Sequence, residues 1–328
     1  MMFLALVLAL AVAVFLLPSA AGFHAPLALQ SKATSKTFVS FALPPLSSPK
    51  EETRRTRVVA GHSVAAAGHL LQFSRLALPL LRGGKVPSPA GLYIASTPLL
   101  PAVVGLLLAE AAREDRLASF TYRRLSLSLA LSVLPPLAFA ATRLSGVARA
   151  SVLLTSLLTL VAALKSWAYG ARGWSLSTST YLKELAAGAR QILAGLLPGY
   201  NSLKLNPARW PSSAAYLLSA YFLIFVTLQN LLPSPAPLAI RAWRMSRLQL
   251  LSTIAFCLKD AADRGRLAGS TFVRLNALLV VTSAPYAWVL VSGVGPISNP
   301  LWGAAFGAIA GLGAVQCLRQ VLAKKLQQ

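Results

Sequence analysis

The sequence predicts an all-α fold: a multipass transmembrane helical bundle of about seven spans plus amphipathic interfacial helices, built as two parallel tandem repeats. Three observations predict it. Hydrophobic residues make up 56% of the chain and charged residues only 12%, and the apolar residues fall in blocks of bilayer length, too many for one soluble core. Net charge is +23, from 31 Lys and Arg against 8 Asp and Glu. The basic residues are scattered between the apolar blocks, where they set orientation and touch anionic lipid headgroups; no nucleic-acid-binding motif accompanies them. Finally, a polar knot between two apolar runs, "LAEAAREDRLASFTYRRL" at 108–125, returns as "LKDAADRGRLAGSTFVRL" at 258–275.

The chain opens with residues 1–22, whose apolar core is shorter than the ~20 residues that cross a bilayer and ends in Pro18, Ser19, Ala20, Ala21 and Gly22. Small residues there suit a signal-peptidase site. Residues 23–58 begin rich in Ser and Thr, with Lys32, Lys36 and Lys50 and no acid before Glu51, the composition of a disordered transit peptide. The join "SAAGFHAP", with Phe23, Ala25 and Pro26, resembles the bipartite plastid presequence of algae whose plastids descend from an engulfed red alga. His24 is an insertion relative to that pattern, and Gly22 replaces its usual Ala. The resemblance covers about the first fifty residues and implies an address, a plastid membrane (envelope or thylakoid); an endomembrane or secretory-pathway membrane is the alternative. It implies no activity.

Residues 59–169 read as a first membrane repeat, 170–212 as a stromal loop and 213–328 as a second repeat. Bilayer-length apolar runs fall near 91–109, 124–142, 149–169, 213–232, 246–260, 274–292 and 300–320. Residues 62–83 hold His69 and Arg75 in their interior. A central Arg costs about 2.5–3.5 kcal/mol on insertion, which predicts an interfacial amphipathic helix. Residues 182–199 read the same way. Trp167, Tyr169, Trp174, Trp210 and Trp243 read as interfacial anchors.

Aligning 108–135 with 258–285 needs no gap and matches Arg116 with Arg266, Thr121 with Thr271, Arg124 with Arg274 and Pro135 with Pro285. An even number of crossings separates the two copies, so they are parallel and both hinges face one side. In each hinge, Thr121 or Thr271 is placed to cap the following helix. Arg124 and Arg274 are placed to snorkel to the headgroups. Arg116 and Arg266 are placed to pair with Glu110 and Asp260. These six residues, Glu110, Arg116, Arg124, Asp260, Arg266 and Arg274, form the candidate anion or hinge site. "GAAFGAIAG" sets Gly303, Gly307 and Gly311 four apart, a predicted helix-packing groove for an internal helix, a second copy or another membrane protein.

No enzyme signature stands out: there is no HExxH, no Ser-His-Asp set and no Gly-rich phosphate loop. Cys257 and Cys317 lack CxxC spacing, and His62 and His69 without a carboxylate make a poor metal site. The sequence names no cofactor. Two classes remain: a transporter-like solute or anion permease, and a non-catalytic structural or assembly protein. Tyr216, Tyr221, Phe222 and Phe225 are placed either to pack together or to line a lipid or pigment pocket.

Overall fold

The computed structural model describes residues 49–82, 96–172, 203, 205–230, 238–292 and 300–325. The signal segment, residues 23–48 of the transit segment, the expected 182–199 helix and most of the 170–212 loop lie outside the described residues. Nine α-helices and no strand appear among the described residues. They are α1 (Pro49–Arg82), α2 (Leu99–Arg113), α3 (Phe120–Ser132), α4 (Leu134–Arg143), α5 (Gly146–Arg172), α6 (Trp210–Gln229), α7 (Leu238–Asp263), α8 (Ser270–Val291) and α9 (Pro300–Lys325).

Five segments are long and apolar enough to cross a membrane: α3 with α4 as Phe120–Arg143, then Gly146–Ala171, Trp210–Gln229, Ser270–Val291 and Pro300–Gln320. They coincide with five of the seven expected spans. The other two expectations fall on α2 and α7, which do not meet that standard. The described part of α2 is 15 residues long, and α7 carries Arg241, Arg244, Arg247, Lys259, Asp260 and Asp263. Yet α2 and α7 lie at the centre. Helix α2 packs on α1, α3, α5 and α8, and α7 on α3, α4, α6 and α8. Charge on α7 lowers its hydropathy, while its packing hides much of that charge: Arg244, Arg247 and Lys259 are buried.

The outer faces are apolar. Leu154, Leu157 and Val161 on α5, Leu218 and Phe225 on α6, and Leu301 and Leu318 on α9 are all exposed. A water-facing protein would tuck such residues inward; a lipid-facing one has no reason to.

The helices run alternately up and down. Both hinges emerge at one end, where the Tyr122 hydroxyl lies 2.7 Å from Thr271 Oγ1. That hinge end also gathers the start of α1 (Arg55 to Asp115, 3.4 Å), the turn before α6 (Asn206 Nδ2 donating to the Asp263 carbonyl, 3.1 Å) and the last turns of α9, where Gln320 donates to the Leu267 carbonyl.

Helix α1 corrects two expectations. Residues 49–58, assigned to a disordered transit segment, are helical, with Glu51 and Glu52 in the first turn beside the positive end of the dipole and Val58 buried. Nor does 62–83 behave as a surface helix. Helix α1 runs antiparallel along the α5 span: His62 Nε2 lies 2.6 Å from Ser166 Oγ, His69 Nε2 lies 3.0 Å from Thr159 Oγ1, and Gln72 donates to the Ser151 carbonyl at 3.3 Å. Its polar stripe faces inward, while Val64 and Leu71 face out. A helical wheel shows two opposed faces but not which one meets protein, and the imidazoles found hydroxyl partners inside.

The two hinges share one backbone. Glu114 ends α2, and the Arg116 and Asp115 amides reach back to the Ala111 and Ala112 carbonyls at 2.8 and 3.4 Å. The Arg266 and Gly265 amides reach the Ala261 and Ala262 carbonyls at 2.8 and 3.0 Å. This crossed pair of bonds needs a left-handed residue just past the helix. Asp115 (φ 55°) and Gly265 (φ 66°) supply it. The helices that follow start at Ser119 and Gly269, both extended with ψ near 145° and 143° and neither donating or accepting a side-chain cap bond. The expected caps Thr121 and Thr271 are thus displaced by two residues: they already lie inside the first turn, and Thr271 turns its hydroxyl to Tyr122 instead.

Matched prolines act differently. Helix α8 continues through Pro285, whereas the chain breaks at Val133 between α3 and α4 ahead of consecutive Pro135 and Pro136. One proline removes one backbone donor; two in succession remove two and end the helix.

Candidate functional site

Glu110 and Asp260 each occupy the last turn of a central helix, and Arg124 and Arg274 each lie about one turn into the helix after the hinge. Arg124 Nη1 donates to Asp260 Oδ2 at 3.0 Å. Arg274 Nη1 donates to Glu110 Oε2. Each arginine therefore takes its acid from the other half of the chain, and the two bridges join equivalent positions in opposite directions. The expectation that Arg124 and Arg274 snorkel to headgroups is corrected by this: Arg124 is 2% exposed and its guanidinium also lies 4.2 Å from the Phe120 ring centroid. A short reach to a half-buried carboxylate wins over a long one to water.

Arg116 pairs with Glu114 and stands 4.0 Å from Glu110, so its expected partner is its second one. Arg266 is exposed, and no described acid pairs with it; the expected Arg266–Asp260 pair is corrected, because Arg124 occupies Asp260. The pairing was drawn within each hinge because sequence distance is all that a single copy offers. The geometry crosses between them.

The two hinges line one pocket of about 460 Å³, with Arg116, Phe120 and Thr121 on one wall and Asp260, Arg264 and Arg266 on the other. Below it, polar contacts continue along the seam between the halves. Ser128 Oγ donates to Thr253 Oγ1 at 2.9 Å and accepts from Gln249 Nε2 at 3.0 Å. Further on, Arg247 Nη1 donates to Ser96 Oγ at 3.0 Å, and its other terminal nitrogen to the Thr282 carbonyl. From Asp260 to Arg247 along α7 this column runs roughly 20 Å at 1.5 Å per residue. Nor is the buried polarity confined to Ser and Thr. Arg247, Lys259 (2.7 Å from Asp263) and Asn276 (accepting from Tyr216 at 2.6 Å) are buried too. The overlooked signal was the charge density of α7, which weakened it as a span and marked it as the centre.

Of the three glycines in the predicted groove, one makes a close approach. A side chain at Gly303 would strike Val291 and the Ala287 carbonyl of α8, but Gly307 and Gly311 face open space. Gly313, not singled out, is the second close approach: a Cβ added there would lie 2.7 Å from the Asn276 carbonyl oxygen. Successive steps of four residues rotate about 40° around a helix, so the seam follows 303, 306, 310 and 313 and the other two glycines turn away.

The aromatic residues of α6 mostly pack. Tyr221 meets Phe256 and Phe222 meets Phe306 edge-on, at 6.2 and 5.3 Å between centroids. Phe225 is exposed, Trp210 is exposed as an anchor should be, and Trp167 is buried, which corrects its assignment as an anchor. Among the described residues no group of three or more His, Cys, Asp and Glu could hold a metal ion. Compared with known proteins, the chain matches no family model, no curated protein and no solved structure.

Proposed function

We propose that this multipass membrane protein is a non-catalytic, transporter-like permease for a small solute or anion, resident in a plastid membrane and built by head-to-tail duplication of a four-helix unit. The observation that carries it is the polar column between the halves, roofed by an arginine-lined pocket. Duplicated transporters place their pathway on the axis relating the copies. The duplication is supported by the order of α1 to α5 against α6 to α9, by the equivalent hinge bonds and by the reciprocal bridges. On this reading α1, α2 and α7 cross as well, giving four embedded segments per copy. The hinge end faces the stroma, since Arg54, Arg57, Arg113, Arg123, Arg264 and Arg319 lie there. Of the cations at the other end, Arg244 and Arg247 are buried and present no surface charge, which leaves Arg143, Arg149 and Arg241 against the larger hinge-end set. The plastid address rests on the leader alone.

The second reading, a structural or assembly protein of the envelope or thylakoid, is favoured by the outward Gly307 and Gly311, which leave α9 open to a neighbouring helix. Uptake into liposomes holding the purified full chain separates the two. Inorganic phosphate and then other labelled small anions should enter faster than into empty liposomes, and Arg116→Ala with Arg266→Ala should cut that flux at least about tenfold. No flux for any anion would refute the permease, and equal flux in the double variant would refute a role for Arg116 and Arg266 in contacting the solute.

A further inference from the structure

At the end opposite the hinges, a second cationic centre has no counterpart in the first half of the chain. Arg244 and Arg247 lie three residues apart on α7, on its face toward α8, about 9 and 13 Å in from the start of that helix. Both are buried, at 5% and 2% exposure. Arg247 is held by Ser96 and the Thr282 carbonyl. Arg244 stands 5.6 Å from the Tyr286 ring centroid, and its Nε has no hydrogen-bond partner. Next to Thr282 in sequence on α8, Ser283 is fully buried, its hydroxyl also without a partner. The matching residues of the first half are Ile94, Thr97 and Val133.

The described carboxylates lie elsewhere. Glu51, Glu52, Glu110, Glu114, Asp115, Asp260 and Asp263 all belong to the hinge end, and Asp260 is roughly 20 Å along α7 from Arg247. A guanidinium withdrawn from water loses its hydration, and an aromatic face restores only part of that. Two such groups side by side also repel each other. An acceptor carrying negative charge relieves all three conditions together: it satisfies the Arg244 Nε, takes the Ser283 proton and neutralises the pair.

We propose that Arg244, Arg247 and Ser283 hold an anionic phosphate-type group between α7 and α8, brought either by a lipid headgroup or by a free anion. The site is distinct from the hinge pocket and does not depend on transport.

Thermal unfolding of the purified full chain tests it. One arm adds inorganic phosphate to protein in neutral detergent; the other compares phosphatidylglycerol with phosphatidylcholine nanodiscs. A saturable rise in Tm in either arm is expected, and the arm that responds identifies the source. Arg244→Gln should weaken the apparent affinity at least tenfold and Ser283→Ala about threefold, while Arg116→Ala with Arg266→Ala leaves it within twofold. Without added anion, Arg244→Gln should be at least as stable as wild type, since an uncompensated charge has been removed. The proposal is overturned if neither arm responds, if Arg244→Gln or Ser283→Ala binds as wild type does, if the hinge variant abolishes the response, or if Arg244→Gln alone is destabilised.

Discussion

Removing the Asp260 carboxylate should be among the most damaging single changes in this protein. Its partner Arg124 has a side chain 1% exposed, against 12% for Asp260. Asp260→Ala leaves a guanidinium enclosed by helices with no acid at its Nη1, a situation that typically costs about 3–5 kcal/mol. Arg124→Ala leaves the better-solvated member, so its cost should be smaller, about 2–3 kcal/mol, part of it lost packing against Phe120. The Arg116–Glu114 pair supplies an internal control. Both side chains are well exposed, at 39% and 44%, and such pairs contribute about 0–1 kcal/mol. Denaturant unfolding in mixed micelles, run as two double-mutant cycles, reads the difference. The Arg124–Asp260 cycle should show a coupling of about 2 kcal/mol or more, and the Arg116–Glu114 cycle less than about 1 kcal/mol. Equal couplings would refute the claim that the buried bridge, and not hinge charge in general, ties the halves together.

Three further outcomes follow from geometry. Asp115→Gly should stabilise by about 0.5–1 kcal/mol in the same unfolding assay, since it relieves a left-handed non-glycine residue at the loss of one exposed ion pair, whereas Gly265→Ala should destabilise by about 1 kcal/mol. On α9, Gly313→Val should cost about 1–3 kcal/mol by overpacking against α8, while Gly307→Leu should change monomer stability by less than about 0.5 kcal/mol; the reverse order, measured by Tm, would place the seam on the wrong face. With Cys317→Ser as background, Ala118→Cys and Ala268→Cys should react with a membrane-impermeant maleimide from one side of a vesicle, and Ser145→Cys from the other. Opposite labelling of the two hinge sites would remove the shared-end arrangement.

Much of this architecture could be read from the chain. The five apolar segments announce themselves by length, and the gap-free match of Arg116, Thr121 and Arg124 with Arg266, Thr271 and Arg274 pointed to two hinges of one design. What stayed hidden depends on the third dimension. Sequence distance favoured pairing Arg266 with Asp260, but Arg124, 136 residues away from Asp260, is nearer in space. The pattern of α1 displayed a polar stripe without saying that Ser166 and Thr159 would face it. Spacing by four suggested one glycine face, but helical drift carries Gly307 and Gly311 off it. The apolar run at 246–260 did not say that Arg247 within it would be held by Ser96 and the Thr282 carbonyl.

The exchanged bridges also bear on how the protein is made. A chain delivered amino-terminus first presents Glu110 long before Arg274, which follows it by 164 residues. Until Arg274 arrives, the early half is an unfinished docking face, with an acid and a base displayed and nothing to receive them. A gene cut between α5 and α6 should therefore yield two fragments that are each short-lived when expressed singly and that rescue one another when expressed together.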